Sequence, residues 1–338
     1  MPAPTSPADL VLSGGGVKGV GLIGAVVALM DAGYRAQRVS GTSAGSIVGA
    51  IVAAAGGRLS GPEFKDLALE LKYRKFRDPG LVGRLPVIGQ PLALVRGRGI
   101  YKGDYAHDWL RGQLANLGVR TFGDLAIADA ELPPEQRYAL VVTVADVTTG
   151  QLVRLPWDYR RVYGMDPDEQ SVADAVRASM SIPFYFRPVT LTDAAGRTST
   201  LVDGGLLSNF PIDSLDRIDG GAPRWPSFGV TVLPNLPNDT DHLLPAWGPL
   251  RRLLPSRMLD DVITTVLVGR DQAYLNQPWV SARTVRVDST EVGFLDFGIS
   301  DTEVEALYAN GYSAAQDFLD GWNWEAYLTR FRSARPLH

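Results

Sequence analysis

The chain of 338 residues contains no cysteine and only three histidines. Without cysteine, disulfides, thiolate nucleophiles and thiolate metal sites are excluded. The scarcity of histidine limits the general bases available to His107, His242 and His338, the last at the chain end. No excess of positive charge is present either: the net charge is -4, so no nucleic-acid partner is expected. Long apolar runs are also rare. Residues 39–57 carry no charge and approach the length of a membrane span, but they include five glycines, which fits a buried strand, turn and helix better. The opening residues, MPAPTSPADL, lack the basic and apolar regions of a secretory signal, and residues 1–7 read as disordered. The expectation is a cytoplasmic protein, peripheral to a membrane at most, that calls for neither metal nor cofactor.

Two glycine-rich turns stand out, each between a predicted strand and a predicted helix. The first, Gly14-Gly15-Gly16-Val17-Lys18-Gly19, follows the apolar run Leu10 to Leu12. The second, Gly41-Thr42-Ser43-Ala44-Gly45, has the spacing G-x-S-x-G, in which a serine sits on a sharp strand-to-helix elbow. Ser43 would then stand at a helix N-terminus, where N–H groups and the helix dipole favour developing negative charge. Gly14 to Gly16 leave the first turn without side chains, so its N–H groups can approach a substrate oxygen. An exposed serine facing bare N–H donors is the outline of an acyl-transfer site.

Strands alternating with helices imply an α/β fold with a parallel sheet. Residues 17–32 and 44–55 read as helices, and Phe64, Leu67, Ala68 and Leu71 give residues 61–75 a helical stripe. Residues 78–101, interrupted by Gly and Pro and rich in arginine, fit a mobile cap over a lipid site or an irregular packed loop. Tyr138 to Ala145 is a β-branched strand that pairs with Gln151 to Leu155 in a hairpin. Ser171 with Asp174, and Ser300 with Glu303, mark helix starts. The aromatics at 184–186 fit core packing better than an acyl pocket, residues 258–274 have helical periodicity, and residues 236–338 carry no motif assignable to chemistry. One domain over residues 8–331 is expected.

A serine hydroxyl needs a base. His107 falls within a helical segment, and His242 within a polar loop, NDTDHLL, although the order Ser43, Asp203, His242 is that of α/β-hydrolases. Asp203 ends an apolar strand, with Gly204 and Gly205 behind it to let the chain turn. Burial there would raise its basicity, although Asp-Gly is also a common turn dipeptide. Gly14, Gly16 and Gly19 also match the dinucleotide fingerprint, but its acidic residue after the second strand is missing, and no P-loop lysine is present.

Taken together, G-G-G-x-K-G at 14–19, G-T-S-A-G at 41–45, A-S-x-S-x-P at 178–183 and D-G-G at 203–205 occur in the order and spacing of the patatin-like phospholipase family, which the chain resembles over most of residues 8–235. The resemblance implies a three-layer α/β/α sandwich with a mainly parallel central sheet and a Ser–Asp dyad without histidine. Ser43 would be the nucleophile, Asp203 the base, and the N–H groups of Gly14, Gly15 and Gly16 the oxyanion hole. Lys18 occupies a basic position of the family's turn and is otherwise a surface charge. Gly41, Gly45, Gly204 and Gly205 would support the turns, and Ser179 and Pro183 match a motif read as structural. The implied substrate is a lipid acyl ester, a phospholipid or lysophospholipid, and the apolar, arginine-bearing stretches 78–101 and 243–257 fit contact with a membrane surface. The alternatives are a non-catalytic lipid- or nucleotide-binding protein on the same scaffold, or an acyltransferase.

Overall fold

Short β-branched and apolar runs build one mixed sheet. The computed structural model describes residues 5–78, 99–219, 221–232, 265–266 and 271–332. Strands β1 (Ser6–Leu12), β2 (Tyr34–Thr42), β3 (Leu140–Asp146), β4 (Gln151–Leu155), β5 (Val189–Thr192), β6 (Thr198–Asp203), β7 (Ser227–Thr231) and β8 (Thr284–Arg286) lie in the order β5-β6-β3-β2-β1-β7-β8, with β4 also on β3. The run β3-β2-β1-β7-β8 is parallel, while β4 and β6 run antiparallel to β3. Around the sheet are α1 (Val20–Asp31), α2 (Ala44–Ala55), α3 (Gly61–Leu69), α4 (Asp104–Asn116), α5 (Trp157–Tyr163), α6 (Val172–Ser179), α7 (Gln272–Leu275), α8 (Pro278–Ser281), α9 (Asp301–Asp320) and α10 (Trp324–Phe331).

Alternation along the strands divides the core between the two faces of the sheet. Leu10, Leu12, Leu140, Val142 and Val144 join one apolar cluster with α1, α2 and α6, whereas Val11 and Val141 join a second with Phe210, Ile212 and Val280. This is the expected α/β sandwich, helices on both sides of the sheet, and α2 is buried on nearly every side, as its composition requires.

Register explains how the ends of two strands meet. β4 occupies one edge of β3 from Val142 to Asp146, and β2 and β6 share the other. β2 stops where Thr42 pairs with Thr143, and β6, arriving from the opposite direction, stops where Asp203 pairs with Val144. The chain beyond Thr42 and the chain at Asp203 are thereby brought face to face over adjacent residues of β3.

Several boundaries differ from the sequence reading. β1 begins at Ser6, so Ser6 and Pro7, expected to be disordered, pair with Tyr34 and Arg35. The helix expected over 61–75 starts at a Ser60–Glu63 capping box but ends at Leu69. The N–H of Lys72 instead goes to the Tyr105 hydroxyl at 3.1 Å, and Tyr73–Phe76 turns as a short 3-10 segment. Asp78 caps α4 from outside, its carboxylate accepting the N–H groups of Gly103, Asp104 and Tyr105. The cap expected over 78–101 lies outside the described residues but for its ends, as do His242, residues 243–257, His338 and most of 258–274. Among the described residues, no helix is long and apolar enough to cross a membrane.

Candidate functional site

Ser43 stands between the end of β2 and the start of α2 at φ 51° and ψ -120°, a left-handed backbone that a non-glycine residue holds only when its surroundings enforce it. The enforcement is visible. A Cβ on Gly45 would lie 2.3 Å from the carbonyl oxygen of Leu12, so α2 can start against β1 only with glycine there, and Gly41 is crowded in the same way by Gly45 itself. The Ser43 N–H donates to Ser179 Oγ at 2.9 Å, and that hydroxyl donates on to the Thr143 carbonyl at 2.7 Å. Ser179, read from sequence as structural, thus ties the elbow to β3. Pro183 stands in the segment after α6, before the 184–186 aromatics.

Asp203 ends β6 and is buried. Its Oδ1 accepts the Gly205 N–H at 2.8 Å, while its Oδ2 is buried without a hydrogen-bond partner. Gly204 presses against Thr143, where a Cβ would fall 2.2 Å from the carbonyl oxygen. Burial pushes the Asp203 carboxyl up to about 7, against the pull of the Ser43 hydroxyl and the Gly205 N–H in the other direction. Among the described residues, no cation forms an ion pair with it. Ser43 therefore faces the carboxyl closely enough to lower its pKa, yet no bond of ordinary geometry joins them, a looseness common before substrate arrives.

The glycine turn departs from the expectation at one residue. The Gly14 N–H donates to the Asn209 carbonyl at 3.0 Å and is not a free donor. The Val17 N–H is taken by the Phe294 carbonyl at 3.3 Å. Between them, the N–H groups of Gly15 and Gly16 make no hydrogen bond among the described residues. Gly16 has φ 56°, and a Cβ there would lie 2.1 Å from the Phe294 carbonyl oxygen, so only glycine fits. α2 has no side-chain cap, which leaves its leading N–H groups beside the same serine. Lys18 is buried, not the surface charge its residue type suggests.

Ser43 opens onto a narrow slot with room for little more than a water molecule. Gly16, Gly19 and Ala44 line it beside Ser43, and the other walls are apolar: Ile47, Ile51, Leu71, Met180, Phe186 and Phe297 among others. Phe186 thus lines the slot as well as the core, whereas Phe184 is half-exposed at φ 68°. Of the histidines, only His107 falls among the described residues. Its Nε2 lies 2.7 Å from Asp174 Oδ1, joining α4 to α6, and it makes no bond to Ser43. Ser171 caps α6 by accepting the Asp174 N–H at 3.2 Å.

Asn209, Asp271, Phe294 and Phe297 were not found from the sequence. Asp271 Oδ2 accepts both the Asn209 and the Phe210 N–H at 2.8 Å and so holds the segment that grips Gly14. The one available signal was the position of Asn209 shortly after Asp203-Gly204-Gly205; the others carry no motif.

Comparison with known proteins gives the family of the chain. The family described as patatin-like phospholipase matches residues 10–216. A protein of Bacillus subtilis, described as uncharacterized protein YqhO, is 39% identical over 227 residues, covering 67% of this chain and 71% of its own. A protein of Mycobacterium bovis, described as an uncharacterized NTE family protein, is 29% identical over 312 residues, 88% of this chain but only 44% of that one. Among solved structures, VipD from Legionella pneumophila aligns at a TM-score of 0.48 with 20% identity, covering 93% of this chain and 66% of VipD. The type III effector protein ExoU aligns at 0.47 with 19% identity, covering 94% of this chain and 53% of ExoU.

Proposed function

This chain belongs to the patatin-like phospholipase family, and from that membership we propose that it is a serine acyl hydrolase cleaving lipid acyl esters, with Ser43 as nucleophile and Asp203 as base. The observation that carries the reading is the buried, strained Ser43, which lines an apolar slot and is set against a carboxylate whose Oδ2 has no partner. Asp203 takes the Ser43 proton as Oγ attacks the ester carbonyl carbon. A pKa near 7 lets the carboxylate be ionised at neutral pH and still bind a proton well in the transition state. The tetrahedral oxyanion falls to the N–H groups of Gly15 and Gly16 and to the start of α2. The alcohol leaves with the proton held by Asp203, and water then cleaves the acyl-enzyme by the same base.

The acyl chain fits the slot by chemistry: burying it removes apolar surface from water, and the walls offer few groups for a polar substrate to bond. A nucleotide is a poor fit to the glycine turn, since the Phe294 carbonyl fills the space a pyrophosphate would need beside Gly16. The test is turnover of phospholipid and lysophospholipid esters by the purified protein and by Ser43→Ala. The variant should fold normally and lose roughly 10^4-fold or more in kcat; a variant with full activity would remove Ser43 from the mechanism. Ile47 lies one helical turn from Ser43 on the slot wall. Ile47→Trp is expected to reduce kcat/KM for long-chain esters at least tenfold while sparing short-chain esters, read by comparing the two substrate series. Equal losses on both would place the acyl chain elsewhere.

A further inference from the structure

We infer that an acyl chain bound at Ser43 runs down the seam between α1, α2 and α3 and ends in a second cavity beneath the slot, which makes long unbranched acyl chains the substrate class. The inference rests on the Ser43–Asp203 reading. Beside Ser43 there is room for little more than a water molecule. A cavity of about 310 Å³ lies at the other end of the same three helices, with Ala8 and Leu10 of β1 and Ala36 of β2 on its sheet side. On α1, Ile23 lines the slot, while Val26 and Met30, farther along, line the cavity. On α2, Val48 and Ile51 line the slot, and Val52 and Ala55 the cavity. α3 runs the other way, with Phe64 on the cavity and Ala68 on the slot. Within each helix these positions follow at spacings of three or four and so share one face. Slot and cavity are therefore two widenings of one seam, a single helical turn apart.

The cavity suits a hydrocarbon tail. Val26, Leu29, Val52 and Phe64 are buried in its walls. The charged groups at its rim are engaged elsewhere: Arg35 donates to the Gly56 carbonyl at 2.6 Å, and Asp31 accepts the Tyr312 hydroxyl at 3.0 Å. An apolar cavity stays dry and forfeits packing contacts that a hydrocarbon restores. The reach fits as well. From Ser43 to Ala55, α2 rises about 18 Å, and an extended chain of C–C bonds advances about 1.25 Å per carbon. A chain of about 14 carbons therefore brings its end into the cavity, and a much shorter one stops in the slot. Between the two stand the side chains of Ile23, Ile51 and Phe64, members of one apolar cluster. Their rotation admits a single methylene chain more easily than a branched one.

The experiment treats the parent protein with two alkyl fluorophosphonates that carry a photoreactive diazirine at the chain end, one of about six carbons and one of about sixteen. After attachment to Ser43 and irradiation, peptide mass spectrometry is expected to find the long probe on Val26 to Met30, Val52 to Ala55 or Phe64. The short probe is expected on Ile47, Ile51 or Met180. A long probe cross-linked anywhere but the cavity would overturn the proposal. Filling the cavity from two helices, by Met30→Trp and by Val52→Phe, is expected to lower the ratio of kcat/KM for sixteen-carbon against eight-carbon esters by roughly tenfold or more. An unchanged ratio in a folded variant would overturn the proposal as well. A parent that takes neither probe on Ser43 and turns over no ester would instead refute the Ser43–Asp203 reading beneath it.

Discussion

Asp203→Asn is expected to abolish turnover and, above neutral pH, to make the folded protein more stable than its parent. The two effects share one cause. The Asp203 carboxyl titrates at about 7 in the folded chain against a reference of 3.8. The folded state therefore holds this proton more tightly than the unfolded state does. Its contribution to stability is fully present below about pH 4 and is lost as pH rises through 7. Above that, the ionised carboxylate sits buried without a cation, at a cost on the order of 4 kcal/mol. Asparagine carries no charge at any pH and can still accept the Gly205 N–H through Oδ1. Denaturant unfolding of both proteins should show a small gap at pH 4.5 that widens to several kcal/mol in favour of the variant by pH 8. A gap that does not change with pH would mean the carboxyl is not perturbed. In the parent, kcat/KM should rise with pH through a single ionisation near 7 and then level off, since the base acts only when ionised.

Gly311→Val is expected to unfold the protein or to cost about 3 kcal/mol or more, although valine has a higher helix propensity than glycine. α9 packs onto α1 backbone to backbone: a Cβ on Gly311 would lie 1.9 Å from the Gly21 carbonyl oxygen, and one on Gly24 would lie 2.0 Å from that of Tyr308. The offending atoms are main-chain, so no side chain can rotate away, and the helices must part. α1 begins where the glycine turn ends, so a shift of α1 also moves Gly15 and Gly16. Gly112, exposed in α4 with nothing within 4 Å of its Cβ position, is the control of opposite sign. Gly112→Ala should stabilise by up to about 1 kcal/mol. Thermal or denaturant unfolding distinguishes the two, and a tolerated Gly311→Val would mean that the α1–α9 contact is looser than the geometry requires.

Local signals in the sequence gave the elements, because each is set by neighbours in the chain. β-branched content marks β3, the Ser300–Glu303 box starts α9, and G-x-S-x-G sets Ser43 on its elbow. Asp203 could be named as a candidate base from its place at a strand end, but its choice over His242 came through the family resemblance, since the meeting with Ser43 depends on β6 taking over the edge of β3 where β2 ends. The fates of individual donors were not legible. Whether the Gly14 N–H is free depends on Asn209, 195 positions away, and whether Gly16 tolerates a side chain depends on Phe294. Lys18 looked like a surface charge because burial is not written in residue type. The stretch after residue 236 showed no motif, yet Asp271 steadies Asn209 and Phe297 lines the slot, both through long-range packing that leaves no local pattern.

The central claim is that Ser43 is activated by Asp203 alone. Labelling with a long-chain fluorophosphonate tests it most directly, because the probe needs an activated serine and an oxyanion site but no knowledge of the natural ester. Peptide mass spectrometry should find the label on Ser43 in the parent and in His242→Ala, and its rate should collapse in Asp203→Asn. Label on another serine, or undiminished labelling of Ser43 in folded Asp203→Asn, would contradict the account.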